Sequence, residues 1–544
     1  MKRYGQAAGR EIPVACPFLR ELPGTGFALL MMIAIMLAGC RDSHGKFADY
    51  TPHDPSPSIW EKARNGSGPQ HYFSGRFHDA YALRWESKLN NWGDYNLYRR
   101  YNRISDVAVN SDGVSFIAWT SLLAEPEPGQ ALDPRQLELL QEKGPSEMLL
   151  ESSHGALDLA PKSTVLVALD TAGQVAWARQ YAGALAGGPL LLEDGTVVLA
   201  TSSDNATDFV EGKSSRRDPR EFQGWVWFVS PLGELQASYE PGRWICSGPE
   251  LQDNSKLRLE LGKQESEEGV DYVDADSEAI IDSTGSLISE EPLGLERMII
   301  EQDGIEISVH QLGPDDPSHG QYASRELVGS RNAAIIWKES LPAAPLDSLF
   351  NPVNGQVIFQ HTPDFSSQMS ANGAIDWLSF NDGIRTWSKR PEGQVIWDRR
   401  IGFINVLEDA AIMESGDLVL PITNMEAISG GHGAARQVIE IARLDGKGEV
   451  LFSEPLPFTN DTTALALSGG TIFVDSTDTV CVVYHANSRG IFSICRMDGN
   501  GKVLSHDSVP GWIGSMPAIM DNGDLLVNTG GKLLCLGAPG PDSP

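Results

Sequence analysis

Four histidines, His154, His319, His361 and His432, fall in polar segments between apolar runs, and Asp315, Asp316 and Asp364 lie near two of them. Imidazole and carboxylate together are the material of acid–base catalysis and of zinc coordination. No pair has ligand spacing, and four separate surface histidines would satisfy the same pattern. The acidic run from Glu265 to Glu278 holds Asp274-x-Asp276-x-Glu278. Hard oxygen ligands at alternate positions suit Ca²⁺, although the glycine and spacing of an EF-hand are missing. A solvated anionic loop is the competing reading. Cys481 and Cys495 flank Ala486-Asn-Ser-Arg-Gly490 symmetrically. A hairpin there would set them opposite each other as a candidate disulfide, against the alternative of buried free thiols. The stretch Lys213-Ser-Ser-Arg216-Arg217-Asp-Pro-Arg220 is a basic island in an acidic chain, suited to an acidic partner or to its neighbours Asp218 and Glu221. Signatures of nucleophile elbows, zinc proteases, P-loops and dinucleotide folds are missing, and so is any CxxC pair.

The elements that must position these residues repeat. An alternating apolar strand, a tight Asp-Gly-like turn and a second strand recur in DVAVNSDGVSFIAW and PLLLEDGTVVLAT. The turns are Asp112-Gly113, Asp194-Gly195, Asp253-Asn254, Asp303-Gly304, Asn354-Gly355, Ser415-Gly416, Gly469-Gly470 and Asn522-Gly523. Each supplies residues that tolerate the positive φ of two-residue hairpins. A second hairpin carries an aromatic four residues after its glycine, as in VALDTAGQVAW177 and RPEGQVIW397. Two hairpins per repeat of about fifty residues make a four-stranded blade. The pattern predicts an all-β propeller of eight blades, with seven as the alternative. It starts with a lone outer strand at Trp85 and ends with an inner hairpin, Pro517 to Leu536. Pairing of these two ends would close the ring and remove its sheet edges.

In such a blade, strands a to d run from the centre outward. Here the a–b and c–d turns are short, whereas insertions fall in b–c loops near 122–162, 202–222, 262–272, 312–332, 361–373 and 424–437. Long loops on a rigid scaffold are where binding concentrates, so the b–c side is the candidate binding face. It includes Arg216, Arg217, His319, His361 and His432. Two matched crossovers, Trp244-Ile-Cys-Ser-Gly-Pro249 and Trp512-Ile-Gly-Ser-Met-Pro517, put Trp244 and Trp512 ahead of inner strands, for ligand stacking or for packing. Within the largest insertion, Asp133-Pro134 through Gly144 reads as a capped helix with Leu137 and Leu140 on one face, a brace against the propeller.

The motif Ala168-Leu-Asp170-Thr-Ala-Gly173-Gln-Val-Ala-Trp177 resembles the repeats of PQQ-like (quinoprotein-dehydrogenase-like) propellers, a superfamily that includes a lipoprotein of the outer-membrane barrel-assembly machinery. Residues 75 to 537 follow that architecture, though only two or three repeats match closely. Enzymes of the superfamily imply PQQ, a calcium set and adjacent cysteines closed in a disulfide. No two cysteines are adjacent here. The expectation is therefore no cofactor, with Ca²⁺ or PQQ as the alternatives.

The N-terminus reads as an address. Lys2, Arg3, Arg10 and Arg20 precede the apolar run Gly26-Phe-Ala-Leu-Leu-Met-Met-Ile-Ala-Ile-Met-Leu-Ala-Gly-Cys40. The run is too short to span a bilayer core of ~30 Å and ends in small residues, the pattern of a secretory signal. Leu37-Ala38-Gly39-Cys40 resembles the bacterial lipobox, which implies lipidation of Cys40 after removal of residues 1–39 and, with Arg41 following, sorting to the outer membrane. Residues 40–70 read as a lipidated tether rich in Pro, Gly and Ser, and residues 71–540 as one propeller domain.

The chain has 544 residues with 42 Lys+Arg against 73 Asp+Glu, a net charge of −31. Losing residues 1–39 removes Lys2, Arg3, Arg10, Arg20, Glu11 and Glu21, and −31 becomes −33. So negative a chain is a poor binder of nucleic acid, where affinity comes from basic residues displacing counterions. The resulting expectation is a non-enzymatic, lipid-anchored envelope propeller, held to the membrane through Cys40, that binds a protein or polymer through its loop-rich face. The alternatives are a divergent quinoprotein-type or other propeller enzyme, and an outer-membrane assembly accessory.

Overall fold

The structure is a computed structural model. It describes residues 71–539 except 90–104, 122–126, 128, 143–162, 204–222, 254–255, 268–269, 293–295, 303, 313–324, 342–345, 362–383, 402–409, 428–434, 458–470, 488–489 and 530. Strands assemble into eight antiparallel blades, the eight-bladed propeller that the repeats predict. From the inside out, blade 1 is Ala108–Val109, Ser115–Ser121, Ser163–Leu169 and Val175–Ala182, and blade 2 is Ala184–Leu191, Val197–Ser202, Gly224–Val229 and Leu235–Tyr239. Blade 3 is Trp244–Asp253, Lys256–Glu267, Val270–Asp282 and Leu287–Pro292; blade 4 is Glu296–Gln302, Ile305–Gln311, Arg325–Arg331 and Ala334–Leu341. Blade 5 follows with Leu346–Asn351, Gln356–His361, Ile384–Lys389 and Val395–Ile401, then blade 6 with Ala411–Ile412, Leu418–Ala427, Ala435–Leu444 and Val450–Pro455. Blade 7 is Thr471–Asp475, Val480–Asn487, Ile491–Met497 and Val503–Pro510. Blade 8 takes strands a to c from the C-terminal end, Ala518–Ile519, Leu525–Asn528 and Lys532–Gly537, and strand d from the N-terminal end, Ala82–Lys88.

In blades 1 and 2 the neighbouring blades cover both faces of the middle strands, which read as largely apolar runs. Every residue of Ser163–Leu169 and of Val197–Ser202 is buried. Outer strands are half solvated and alternate, as in Val503–Pro510.

The repeat signature has a direct physical origin in the c–d turns. The Asp170 carboxylate accepts hydrogen bonds from the backbone N–H of Ala172 (2.9 Å) and Gln174 (2.8 Å), and Asp282, Asp445 and Asp498 each hold their own turns in the same way. Such Asx-type bonding fixes the turn locally. The glycine three residues on is the seat for the preceding blade's aromatic. Gly233 sits at φ 81°, and a Cβ there would lie 2.7 Å from the ring of Trp177. The Trp177 indole N–H also donates to Pro231 O (2.8 Å). Trp85 docks on the blade 1 turn through Thr171 O (3.0 Å) and Trp337 on the blade 5 turn through Pro391 O (2.7 Å). Trp397 lies over Gly448, and Phe452 takes the same role over Gly501. The motif therefore joins one blade to the next.

Two sequence expectations change. In blade 7 the a–b turn is not Gly469-Gly470 but Asp475 to Thr479, with Asp478 at φ 58°. Asp475 makes that turn by accepting from the N–H of Thr477 and Thr479, both at 2.9 Å. In blade 3 the acidic run is no loop, because Lys256–Glu267 and Val270–Asp282 pair as one long hairpin.

Two further segments brace the ring closure. Gln130–Ala131 adds to the outer edge of blade 1 beside Arg179 and Gln180, and Pro134–Glu142 follows as helix α1. Its cap is reciprocal: Gln136 N–H donates to Asp133 Oδ1 (2.7 Å) and Asp133 N–H donates to Gln136 Oε1 (2.9 Å). Leu137 is buried in the apolar cluster shared by blades 7, 8 and 1. The other segment, His71 to Tyr81, is a strap. Tyr72–Phe73 pairs in parallel with the inner strand of blade 7, so it runs along the central channel from the loop-rich side toward the a–b turns. It then passes outward across blade 7, where Arg496 donates to Asp79 O (2.6 Å) and Tyr81 N–H donates to Asp507 (3.2 Å), and enters blade 8 as its outer strand.

Candidate functional site

The antiparallel order puts all a–b and c–d turns on one face and all b–c connections and crossovers on the other. The described turns of the first face are a few residues long. The b–c connections run as long as 122–162 and 362–383, so the two faces differ as the repeats imply.

On the loop-rich face, blade 7 gathers an aromatic and imidazole group. Trp512 lies 39% exposed in the crossover to blade 8. Its ring meets His485 at 5.1 Å, and a Cβ on Gly490 would lie 2.7 Å from its indole nitrogen. His485 is buried, which pushes its pKa below the ordinary histidine value of 6.5. One strand position earlier, Tyr484 points to the opposite side of the sheet, donates to Pro457 O (2.7 Å), and lies 3.3 Å from His506 Nε2. Burial lowers the His506 pKa as well. Trp244 is the half-buried first residue of its inner strand, opposite Gly262, whereas Trp512 precedes its inner strand by several residues. The matched crossovers thus place the two rings differently. The isoleucines that follow them, Ile245 and Ile513, are both buried.

Strand register and arginine pairing organise the acidic ladder of blade 3. A bulge in blade 3 sets Ala275 opposite Gly262 and Ser277 opposite Leu261, leaving Asp276 outside the register. Asp274 then stands opposite Lys263 and Glu278 opposite Glu260, positions of opposite parity, so strict alternation is lost. Arg243 pairs with Asp276 and with Glu290 (3.0 Å), while Arg258 holds Glu278 (2.5 Å), Glu250 (3.0 Å) and Glu260 (3.0 Å). Two separate guanidinium groups neutralise Asp276 and Glu278, while the Asp274 side chain lies outside the described residues. Among the described residues no three His, Cys, Asp or Glu side chains gather in a metal-binding group.

The cysteine expectation is corrected. A bulge at Ala486 shifts the blade 7 hairpin by one residue, so Cys481 faces Arg496 and Cys495 faces Val482. The thiols lie on opposite sides of the sheet, Cys481 toward blade 8 and Cys495 toward blade 6, and both are free. Burial pushes the Cys495 thiol up to about 12 and Cys481 higher, so both are inert as nucleophiles.

Arg216, Arg217, His319, His432 and Cys40 lie outside the described residues. His361 closes the second strand of blade 5, and its side chain lies outside them too.

Sequence reasoning missed the strap. At its end Asp524, buried in blade 8, receives Arg84 (2.6 Å) and lies 2.8 Å from His78 Nε2. A signal was present: Tyr72, Phe73, Phe77 and Tyr81 crowd aromatic residues into the end of a polar tether.

No protein-family model and no curated protein matches the chain. Several solved structures resemble it distantly. The β-propeller domain of the Trilobed protease from Pyrococcus furiosus is 10% identical over 75% of this chain and 96% of its own, with a TM-score of 0.31. Puromycin hydrolase is 12% identical over 82% of this chain and 58% of its own, at 0.36. A quinonprotein alcohol dehydrogenase-like protein from Bacteroides thetaiotaomicron is 13% identical over 64% of this chain and 82% of its own, at 0.21. The eight-bladed propeller rests on the strand pairing of this chain, and these likenesses carry no argument about its chemistry.

Proposed function

We propose that the protein is a non-enzymatic binding or scaffold propeller, anchored in the cell envelope by lipid on Cys40, that engages a protein or polymer through its loop-rich face. The observation that carries this reading is the asymmetry of the two faces: tight, Asx-locked turns on one and every long connection on the other. A rigid ring that spends its variable chain on a single face is built to present a surface. The central channel, where a small substrate would be enclosed, has the inner edge of blade 7 covered by Tyr72–Phe73, with Phe73 and Phe77 buried beside it. Lipid attachment and an outer-membrane address come from the Leu37-Ala38-Gly39-Cys40 pattern and remain part of the proposal.

The test uses the full chain in its own envelope. A photo-crosslinking residue replacing Trp512 on the loop-rich face is compared with one replacing Lys447 on the turn face. Discrete adducts from position 512 and none from 447 are expected; adducts only from 447 would overturn the assignment of the face. Dye reduction by purified protein supplied with PQQ and Ca²⁺ would sink the non-enzymatic reading, and recovery of barrel-assembly components in the adducts would narrow the partner.

A further inference from the structure

The strap is held by the groups that bind an extended peptide at a sheet edge. Tyr72 and Phe73 stand in parallel register with Val474 and Asp475. Val474 N–H donates to His71 O (3.0 Å), Ser476 donates to Gly75 O from its N–H (3.2 Å) and its hydroxyl (2.7 Å), and Phe77 N–H donates to Asp475 Oδ2 (3.0 Å). Asp475 is 1% exposed, and its other oxygen is already committed to the N–H groups of its own turn. The rings of Phe73 and Phe77, stacked at 5.6 Å and each 2% exposed, join the cluster that contains Phe473, Cys481 and Ile519. Gly75 between them is required, because a Cβ there would collide with the Phe73 ring. This is strand addition, in which the main chain supplies affinity and side-chain sockets supply selectivity.

The strap is also separable from ring closure. Closure belongs to Ala82–Lys88, which pairs with Lys532–Gly537 over the length of the strand, whereas the strap contributes only two ladder residues. Releasing His71 to Phe77 leaves all eight blades paired and exposes the inner edge of blade 7 to the channel.

We propose that this edge is a peptide-binding site, occupied here by the chain's own segment as an intramolecular ligand. Its ligand class is an extended peptide with two aromatic residues four apart and a glycine between them. The covalent segment competes at high effective concentration, so an outside peptide binds only when the strap is weakened or drawn out.

Hydrogen exchange on the intact full-length protein tests separability. The N–H groups of Val474, Ser476 and Phe77 are expected to exchange about 100-fold faster than that of Val482 in the next strand, the signature of local opening; exchange at the same rate would overturn the proposal. A fluorescent peptide with the sequence of residues 69–79 is then titrated against the full-length chain carrying Phe73→Ala and Phe77→Ala. Saturable binding at least ten times tighter than to the unaltered chain, lost when both phenylalanines of the peptide become alanine, is expected. A folded variant that fails to bind, or binds no better than the unaltered chain, would refute it. Should the variant not fold, the exchange comparison decides alone.

Discussion

Blades 1 and 2 meet through a local device, and blades 7 and 8 through a long-range one. At the first joint Trp177 lies on the Gly233 turn and donates to Pro231 O, and knob and seat belong to the c–d hairpins of consecutive blades. At the second joint there is no seat. Strands c and d of blade 8 come from opposite ends of the chain, so no c–d turn joins them, and the aromatic position of blade 7 is Ser505. The strap crosses this gap instead, through Arg496 to Asp79 O, Tyr81 to Asp507, and His78 to Asp524, which Arg84 of the blade 8 outer strand also holds. A repeat motif can weld only blades whose turns are continuous; where continuity is lost, a segment distant in sequence must supply the contacts. Blades 3 and 4 are a third case, with Ser289 at the aromatic position of blade 3 and a blade 4 turn whose Asn332 and Ala333 carry positive φ without glycine.

The comparison can be broken at either joint. Trp177→Ala should cost the most, about 3–5 kcal/mol in denaturant unfolding, because a 5% exposed indole and its hydrogen bond are lost together. A loss below ~1 kcal/mol would mean that the dock is decoration. Asp524→Asn should cost about 2 kcal/mol, since it removes a buried charge from Arg84 and His78; the half-exposed Arg84 regains water and limits the penalty. If limited proteolysis of that variant fails to release the N-terminal strand earlier, the long-range joint does not depend on this carboxylate.

Acid probes the blade 7 side of the comparison. His485 and His506 both have lowered folded pKa values, so their neutral forms stabilise the fold above pH 6.5, and that stability drains away as pH falls toward the folded values. Each can contribute a slope of at most about 1.4 kcal/mol per pH unit. His485→Phe, which keeps a ring against Trp512, should flatten the stability profile as pH falls below 6.5; an unchanged profile would assign the acid sensitivity elsewhere. The smallest effect is expected at the third joint. Ala333 adopts φ 61° on an exposed turn, and Ala333→Gly should raise stability by about 0.5–1 kcal/mol by calorimetry, whereas the same change at Ala172 should not.

Much of the ring was legible because its signals are local. Asp170, Gly173 and Trp177 form one turn and one knob within eight residues, and their recurrence marks the repeat although Gly173 and Trp177 pack against neighbouring blades. The errors arose where register decided the outcome. One extra residue at Ala486 turned Cys481 away from Cys495, and one at Asp276 broke the alternation that the calcium ladder assumed. Neither bulge has a compositional mark, because a bulge depends on how two strands settle against each other. Gly469-Gly470, outside the described residues, misled in the opposite way: the pair read as the turn between the first two strands of blade 7, but Asp475 to Thr479 makes that turn.

By itself the sequence determined the blade and most of its turns, and favoured eight repeats over seven, since these follow from hairpins closed by side chains within a few residues of one another. Tertiary structure alone decided which carboxylates are neutralised by arginine, which thiols share a face, and that residues 71–81 lie against a strand about four hundred residues away. Those outcomes depend on contacts between segments whose separation along the chain carries no periodic signal, and only the packed ring brings them within bonding distance.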